Sequence, residues 1–171
     1  MKSPLSKRIF NRILHFIARH APGATGLRPL LHRLRGVKVG RNVFIGDEVY
    51  LENEYPEAVE IRDGVQITVR AIIIAHTRGS GKVVIEKDAF VGANAVIATS
   101  GGRTLRIGEG AVIGAGVVIT KDVAPHIFIV NDSAKVVAKA LVPLTKAEKI
   151  EDFIHGLVPI GSHSRSERKE K

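Results

Sequence analysis

The seven histidines of this 171-residue chain are its only side chains whose ordinary pKa, about 6.5, lets them take up and return a proton near neutral pH. His76 stands apart from the others because it follows the apolar run Ile72-Ile73-Ile74-Ala75 and precedes a polar, glycine-containing stretch, Thr77 to Lys82. An imidazole so placed can act as a general base, withdrawing the proton of a hydroxyl while that oxygen attacks an electrophile. The chain has no cysteine, which excludes a thiolate nucleophile, a disulfide framework and a zinc-thiolate site, and no serine nucleophile motif is present. By position alone His76 is either such a base or an ordinary corner residue.

The elements that must position it form a repeat. Aliphatic residues recur every six positions, as Val39, Ile45 and Leu51, then Ile61, Ile67 and Ile73, then Ile85, Val91 and Ile97, then Ile107, Ile113 and Ile119. Strand side chains alternate faces with period two, and six is even, so all of these residues share one interior with the small residues four places on, such as Ala89, Ala95 and Ala111. Three places after an aliphatic stand Asp88, Asn94, Gly110, Gly116 and Asp122, types that tolerate left-handed backbone at a corner. Short strands joined by such corners predict an all-β core, a parallel β-helix of about four to five coils. Two intervals are ten rather than six, so extra residues leave the coil near Asn53 to Ala58 and near Ser100 to Thr104. A third interval, from Ile73 to Ile85, is twelve, with Gly79 at its middle place in a hexad that is either wall or loop.

The stretch IGEGAVIGAGVVITKDVAP, Ile107 to Pro125, resembles the hexapeptide-repeat acyltransferases, and the resemblance runs from about Val37 to Ala140. It implies a left-handed coil, a homotrimer, and transfer of an acetyl group from acetyl-CoA, as co-substrate and without a metal, onto a hydroxyl or amine. IIIAHT, Ile72 to Thr77, is similar to the segment carrying the family's catalytic histidine, which makes His76 the expected base for direct transfer. The same resemblance points to Ala93, Ala115, Thr120, Lys121 and Lys135 for the coenzyme. Where the family has Gly-Asn-Pro-Ala-Lys, this chain has Asn131, Asp132, Ser133, Ala134 and Lys135, keeping the lysine but not the proline. The expected acceptor is a sugar or polysaccharide precursor. Counting hexads puts Glu54 one coil before His76 and Asn94 one coil after it, as candidates to bind a sugar hydroxyl. Glu54 is alternatively an orienting partner for the imidazole or a solvated loop residue, and Asp47, Glu48 and Glu52 are no better distinguished. An N-acetyltransferase for an amino sugar and a non-catalytic trimeric scaffold are the competing functions. A zinc site of three histidines is not expected, since the coil holds only His76 and His126.

Counting three hexads per coil, the residue before each interior aliphatic is apolar on one face, at Tyr50, Ile72, Phe90 and Val112, which predicts the trimer interface. The other faces carry Lys38, Glu60 and Arg78, or Gln66 and Arg106.

Outside the coil, residues 1–36 predict two helices. The first, Leu5 to His20, has Ile9, Phe10, Ile13, Leu14, Phe16 and Ile17 at three- and four-residue spacings. Its apolar face is expected to cap the open end of the coil, to pack on a neighbouring subunit, or to lie on an anionic membrane as a peripheral contact; a targeting peptide is the remaining alternative, though Asn11, Arg12 and His15 interrupt a signal-type apolar core. The net charge of +9 is concentrated here, since no acidic residue precedes Asp47. Nucleic acid is not an expected partner, because recognition motifs and interleaved stacking aromatics are lacking. Beyond the coil domain (37–130), an extension (131–160) is expected to carry a helix from Thr145, capped by Thr145 and Glu148, and 161–171 reads as a disordered tail. The lack of cysteine and of any apolar run of about 18 to 20 residues suits a cytoplasmic protein.

Overall fold

The computed structural model describes residues 5–77, 79, 81–131, 138–142 and 148–159. The chain divides into two compact units, 1–131 and 132–171.

In the first unit, α1 (Leu5–His20) and α2 (Leu27–Leu34) precede the coil. The first turn consists of β1 (Lys38–Val39), β2 (Phe44–Ile45) and β3 (Tyr50–Leu51), and the second of β4 (Val59–Ile61), β5 (Gln66–Ile67) and β6 (Ile72–Ile74). The third holds β7 (Lys82–Ile85), β8 (Phe90–Val91) and β9 (Val96–Ala98), and the fourth β10 (Thr104–Ile107), β11 (Val112–Ile113) and β12 (Val118–Ile119), with β13 (Phe128–Ile129) beginning a fifth. Parallel pairing stacks these into three walls, β1-β4-β7-β10, β2-β5-β8-β11-β13 and β3-β6-β9-β12, a left-handed parallel β-helix. Apart from the half-buried Val39, every repeating aliphatic from Ile45 to Ile119 is buried. Fully burying one such side chain contributes about 1.5–3 kcal/mol.

The three corners differ. Between the first and second walls Asn42, Gly64, Asp88, Gly110 and His126 take positive φ, and between the second and third walls Glu48, Arg70, Asn94 and Gly116 do the same. The edge between the third and first walls instead carries the excursions: a 3-10 turn at Pro56–Ala58, the stretch after Ala75, and the turn around Gly101 and Gly102. Asp122 belongs to this third edge and has no left-handed φ; its carboxylate accepts the Arg106 N–H at 3.0 Å.

The twelve-residue interval is a loop, not a wall: Gly79 lies in an isolated bridge to Thr77, and β7 follows β6 directly around the coil. This moves the register by one hexad and corrects the expected interface. Tyr50 pairs with Ile72 and Ile72 with Val96 on the third wall, whereas Phe90 pairs with Val112 on the second, so the four residues do not share a face. Arg78 lies outside the described residues.

The helices also depart from expectation. The first turn has a strand on one side only, so backbone groups on its open side, the Ile45 N–H and the carbonyls of Val39, Ile45 and Leu51 among them, need other partners. The N-terminal segment supplies acceptors, Ala24 O for the Ile45 N–H at 2.8 Å and Arg19 O for the Glu48 N–H at 2.9 Å, and side-chain donors. Arg28 reaches Ile45 O at 3.0 Å and Ala21 O at 2.6 Å, Arg33 reaches Val39 O at 3.0 Å, Arg35 reaches Leu51 O at 2.6 Å and also Glu52 O, and Asn11 donates to Asn53 O. The polar side of α1, with Asn11 and His15, is therefore buried, and its apolar side faces away from the coil. Among the described residues no helix is long and apolar enough to cross a membrane.

In the second unit, β14 (Ala138–Ala140) pairs antiparallel with β15 (Leu157–Pro159), and α3 (Ile150–His155) lies between them in sequence. Thr145 is outside the described residues and Glu148 lies in a bend. The helix starts later than expected because Asp152 provides the N-terminal acceptor, taking the Lys149 N–H at 3.1 Å. The segment assigned to the tail is also outside the described residues.

Candidate active site

His76 sits on the third edge, two residues beyond the end of β6, with its side chain one-third exposed. Its Nδ1 is 2.5 Å from Oε2 of Glu52, whose side chain is fully buried. Parity would send Glu52 outward after the buried Leu51, but the chain turns out of the wall there and folds back over the carboxylate. Oε2 also accepts the Ala75 N–H at 2.8 Å, while Oε1 accepts the N–H groups of Glu54 at 2.8 Å and Tyr55 at 3.3 Å. Burial pushes this carboxyl up, but the hydrogen bonds from His76, Ala75, Glu54 and Tyr55 outweigh that effect and hold it below its usual value. Glu52 is thus an anion near neutral pH. An ionised carboxylate only accepts, so Nδ1 carries the hydrogen, and in the neutral imidazole the lone pair is therefore on Nε2. The Tyr55 ring packs edge-on against the imidazole, with centroids 5.7 Å apart. Glu52 is the residue that sequence reasoning passed over; its signal was that Leu51 and Ile73 occupy the same column of adjacent coils.

Glu54, the favoured acidic candidate, does not hold the imidazole. It is exposed, and its Oε1 accepts from Arg8 at 3.1 Å. Together with Asn53, Tyr55 and the α1 residues Lys7, Asn11 and Arg12 it lines a cavity of about 260 Å³. Asp47 and Glu48 are engaged elsewhere, by Arg28 and by Arg70 at 2.8 Å. Asn94 is not one coil beyond His76: that place belongs to Ser100, and Asn94 forms a corner between the second and third walls, with φ of 55° and its N–H on Val69 O at 3.0 Å. The miscount of Gly79 as a wall accounts for this correction too.

The repeat model described as "Hexapeptide repeat of succinyl-transferase" matches residues 82–121. YvoF of Bacillus subtilis (strain 168), an acetyltransferase by provisional assignment, is 30% identical over 141 residues, 78% of each chain. The chain belongs to the hexapeptide-repeat acetyltransferase family. A shorter match, 40% identical over 58 residues, covers 34% of this chain and 23% of 2,3,4,5-tetrahydropyridine-2,6-dicarboxylate N-acetyltransferase of Staphylococcus aureus (strain JH9).

In this acetyltransferase the coenzyme candidates divide between the two edges of the third wall. Ala93 and Ala115 stack one coil apart on the edge shared with the second wall. A Cβ on Gly92, beside Ala93, would lie 2.6 Å from Ala115 N, so the coils meet there through bare backbone. Thr120 and Lys121 are exposed on the His76 edge, where Arg103 donates to Thr120 O at 2.8 Å. A single chain does not bring the two sets together. Lys135 lies outside the described residues.

Proposed function

We propose that the protein is an acetyl-CoA-dependent O-acetyltransferase acting on a sugar or polysaccharide-precursor hydroxyl, with His76 as general base. The observation that carries this is the buried Glu52 anion on Nδ1, which leaves Nε2 as the basic nitrogen. Nε2 accepts the hydroxyl proton as the acceptor oxygen bonds to the thioester carbonyl carbon, and returns it to the sulfur as the carbon–sulfur bond breaks. Glu52 fixes the tautomer and stabilises the imidazolium formed in between. The small-residue corner at Ala93 and Ala115 suits an extended pantetheine arm, and Lys121 suits the phosphates of the nucleotide end.

Those two groups border the third wall from opposite edges, which favours a trimer built on that wall, where one protomer's alanine corner meets its neighbour's His76. The outward residues Ile72, Val96 and Val118 make the wall apolar enough for this role. Because the Staphylococcus aureus relative is named an N-acetyltransferase, an amine acceptor is the second reading. Thiol release from acetyl-CoA is measured with a panel of sugars and amino sugars, comparing wild type with His76→Ala. Loss of turnover in the variant is expected, equal turnover removes His76 from the mechanism, and the active panel members separate hydroxyl from amine.

A further inference from the structure

Six apolar side chains of α1, Leu5, Ile9, Phe10, Ile13, Phe16 and Ile17, are 44–70% exposed. At about 100° per residue they occupy one continuous arc, opposite the buried Asn11, His15 and Ala18. Arg12 and Arg19 border one side of that arc and Lys7 the other, and α2 adds the exposed Leu27, Leu30 and Leu34. The open coil end's need for hydrogen-bond partners explains why the polar side points inward, but among the described residues nothing covers the apolar side, and an exposed apolar face of this extent marks an interaction surface.

Charge identifies the occupant. No carboxylate occurs before Asp47, and Asp47 and Glu54 are already engaged by Arg28 and Arg8. A second copy docked through the same face would set Lys7 and Arg12 near their own counterparts with no carboxylate of the first 46 residues to pair them. An anionic bilayer supplies an apolar interior to the arc and headgroup charge to its flanks. We propose that α1, with the exposed side of α2, docks on an anionic lipid surface, Ile9, Ile13 and Phe16 entering the acyl boundary while Lys7 and Arg12 meet the headgroups. Phe10 and Leu34 also line the cavity beside Glu54 and Tyr55, so the docking face is continuous with the cavity neighbouring the Glu52–His76 pair.

The test is flotation of the full chain with vesicles of phosphatidylcholine alone and of phosphatidylcholine mixed with phosphatidylglycerol. Recovery with the mixed vesicles should exceed that with the neutral ones by about tenfold or more and fall at roughly 0.5 M salt. Ile13→Glu combined with Phe16→Glu should lower flotation by about tenfold or more with the thermal midpoint and thiol release unchanged. Absence of flotation with both vesicles, or equal flotation of wild type and variant, overturns the proposal. So does a wild-type mass that drops in the variant without any vesicle binding, since a second copy would then cover the face. The wild-type vesicle and salt comparisons stand without any variant, and none depends on acetyl transfer.

Discussion

Glu52→Gln is the sharpest probe of the candidate site, because it preserves volume and removes only the charge and one acceptor. Each carboxylate oxygen of Glu52 serves two N–H donors, Ala75 and His76 on one side, Glu54 and Tyr55 on the other. A glutamine can satisfy one side only. With its NH2 toward His76, the imidazole must move its hydrogen to Nε2, and the base is lost; with its NH2 toward Glu54 and Tyr55, the loop covering the site loses its anchor. A hydrogen bond to a charged group contributes about 1.5–3 kcal/mol, so kcat/KM should fall roughly 10- to 150-fold. One buried donor left without an acceptor costs about 1–3 kcal/mol of stability. Thiol release from acetyl-CoA, followed across pH with the most active panel acceptor, supplies the rate, and a melting curve supplies the stability. Since the folded Glu52 carboxyl titrates below its usual 4.5, its contributions to stability and to holding the tautomer are present above that value and are lost as pH falls through the lower folded value. The wild-type profile between pH 5 and 8 therefore contains no Glu52 titration. A folded Glu52→Gln protein with kcat/KM within about twofold of wild type at every pH would refute the positioning role.

The buried histidines of the helical end give a second, independent prediction. Desolvation first, and then the Arg35 charge, lower both His15 and His32 to about 3, whereas the unfolded chain protonates them at the ordinary 6.5. Their stabilising effect is complete above pH 6.5 and declines as pH falls toward 3, by up to about 1.4 kcal/mol per unit for each. From pH 6.5 to 5 the two forfeit up to roughly 4 kcal/mol, a fall in Tm of about 8–16 °C. His32→Leu should remove about half of that slope in a thermal scan, and an unchanged slope would exclude His32. For the assembly, Ile72→Glu with Val96→Glu should reduce the mass seen by light scattering, while Phe90→Glu with Val112→Glu should not; the reverse result would move the interface to the second wall. In the core, Ile73→Ala, directly beneath the site, should cost about 2–5 kcal/mol by chemical denaturation, and a loss below about 1 kcal/mol would contradict its complete burial.

The interior of the coil was legible because parity is rigid: a six-residue repeat of aliphatics has one place to go, and Ile45 through Ile119 went there. Register across the coil was not, because twelve residues are as compatible with two wall hexads as with one hexad plus a loop. Gly79 fits either, and mistaking it for wall shifted both Asn94 and the apolar face. Glu52 escaped notice because a carboxylate at an outward place next to an insertion reads as solvated; only the folded loop brings the main-chain donors that stabilise it as a buried anion. Amphipathicity had a different blind spot. The spacing of Ile9, Ile13 and Phe16 reveals that α1 has two unlike sides, yet which side is buried depends on the surface it meets. The open side of the first turn is a row of backbone N–H and C=O groups without a strand partner, and leaving each carbonyl buried and unpaired costs about 1–3 kcal/mol. Arg28, Arg35 and Asn11 meet that demand, so the polar side turns inward and the apolar side is offered outward. The same requirement that closes the first turn of the coil therefore creates the face for which a lipid surface is proposed.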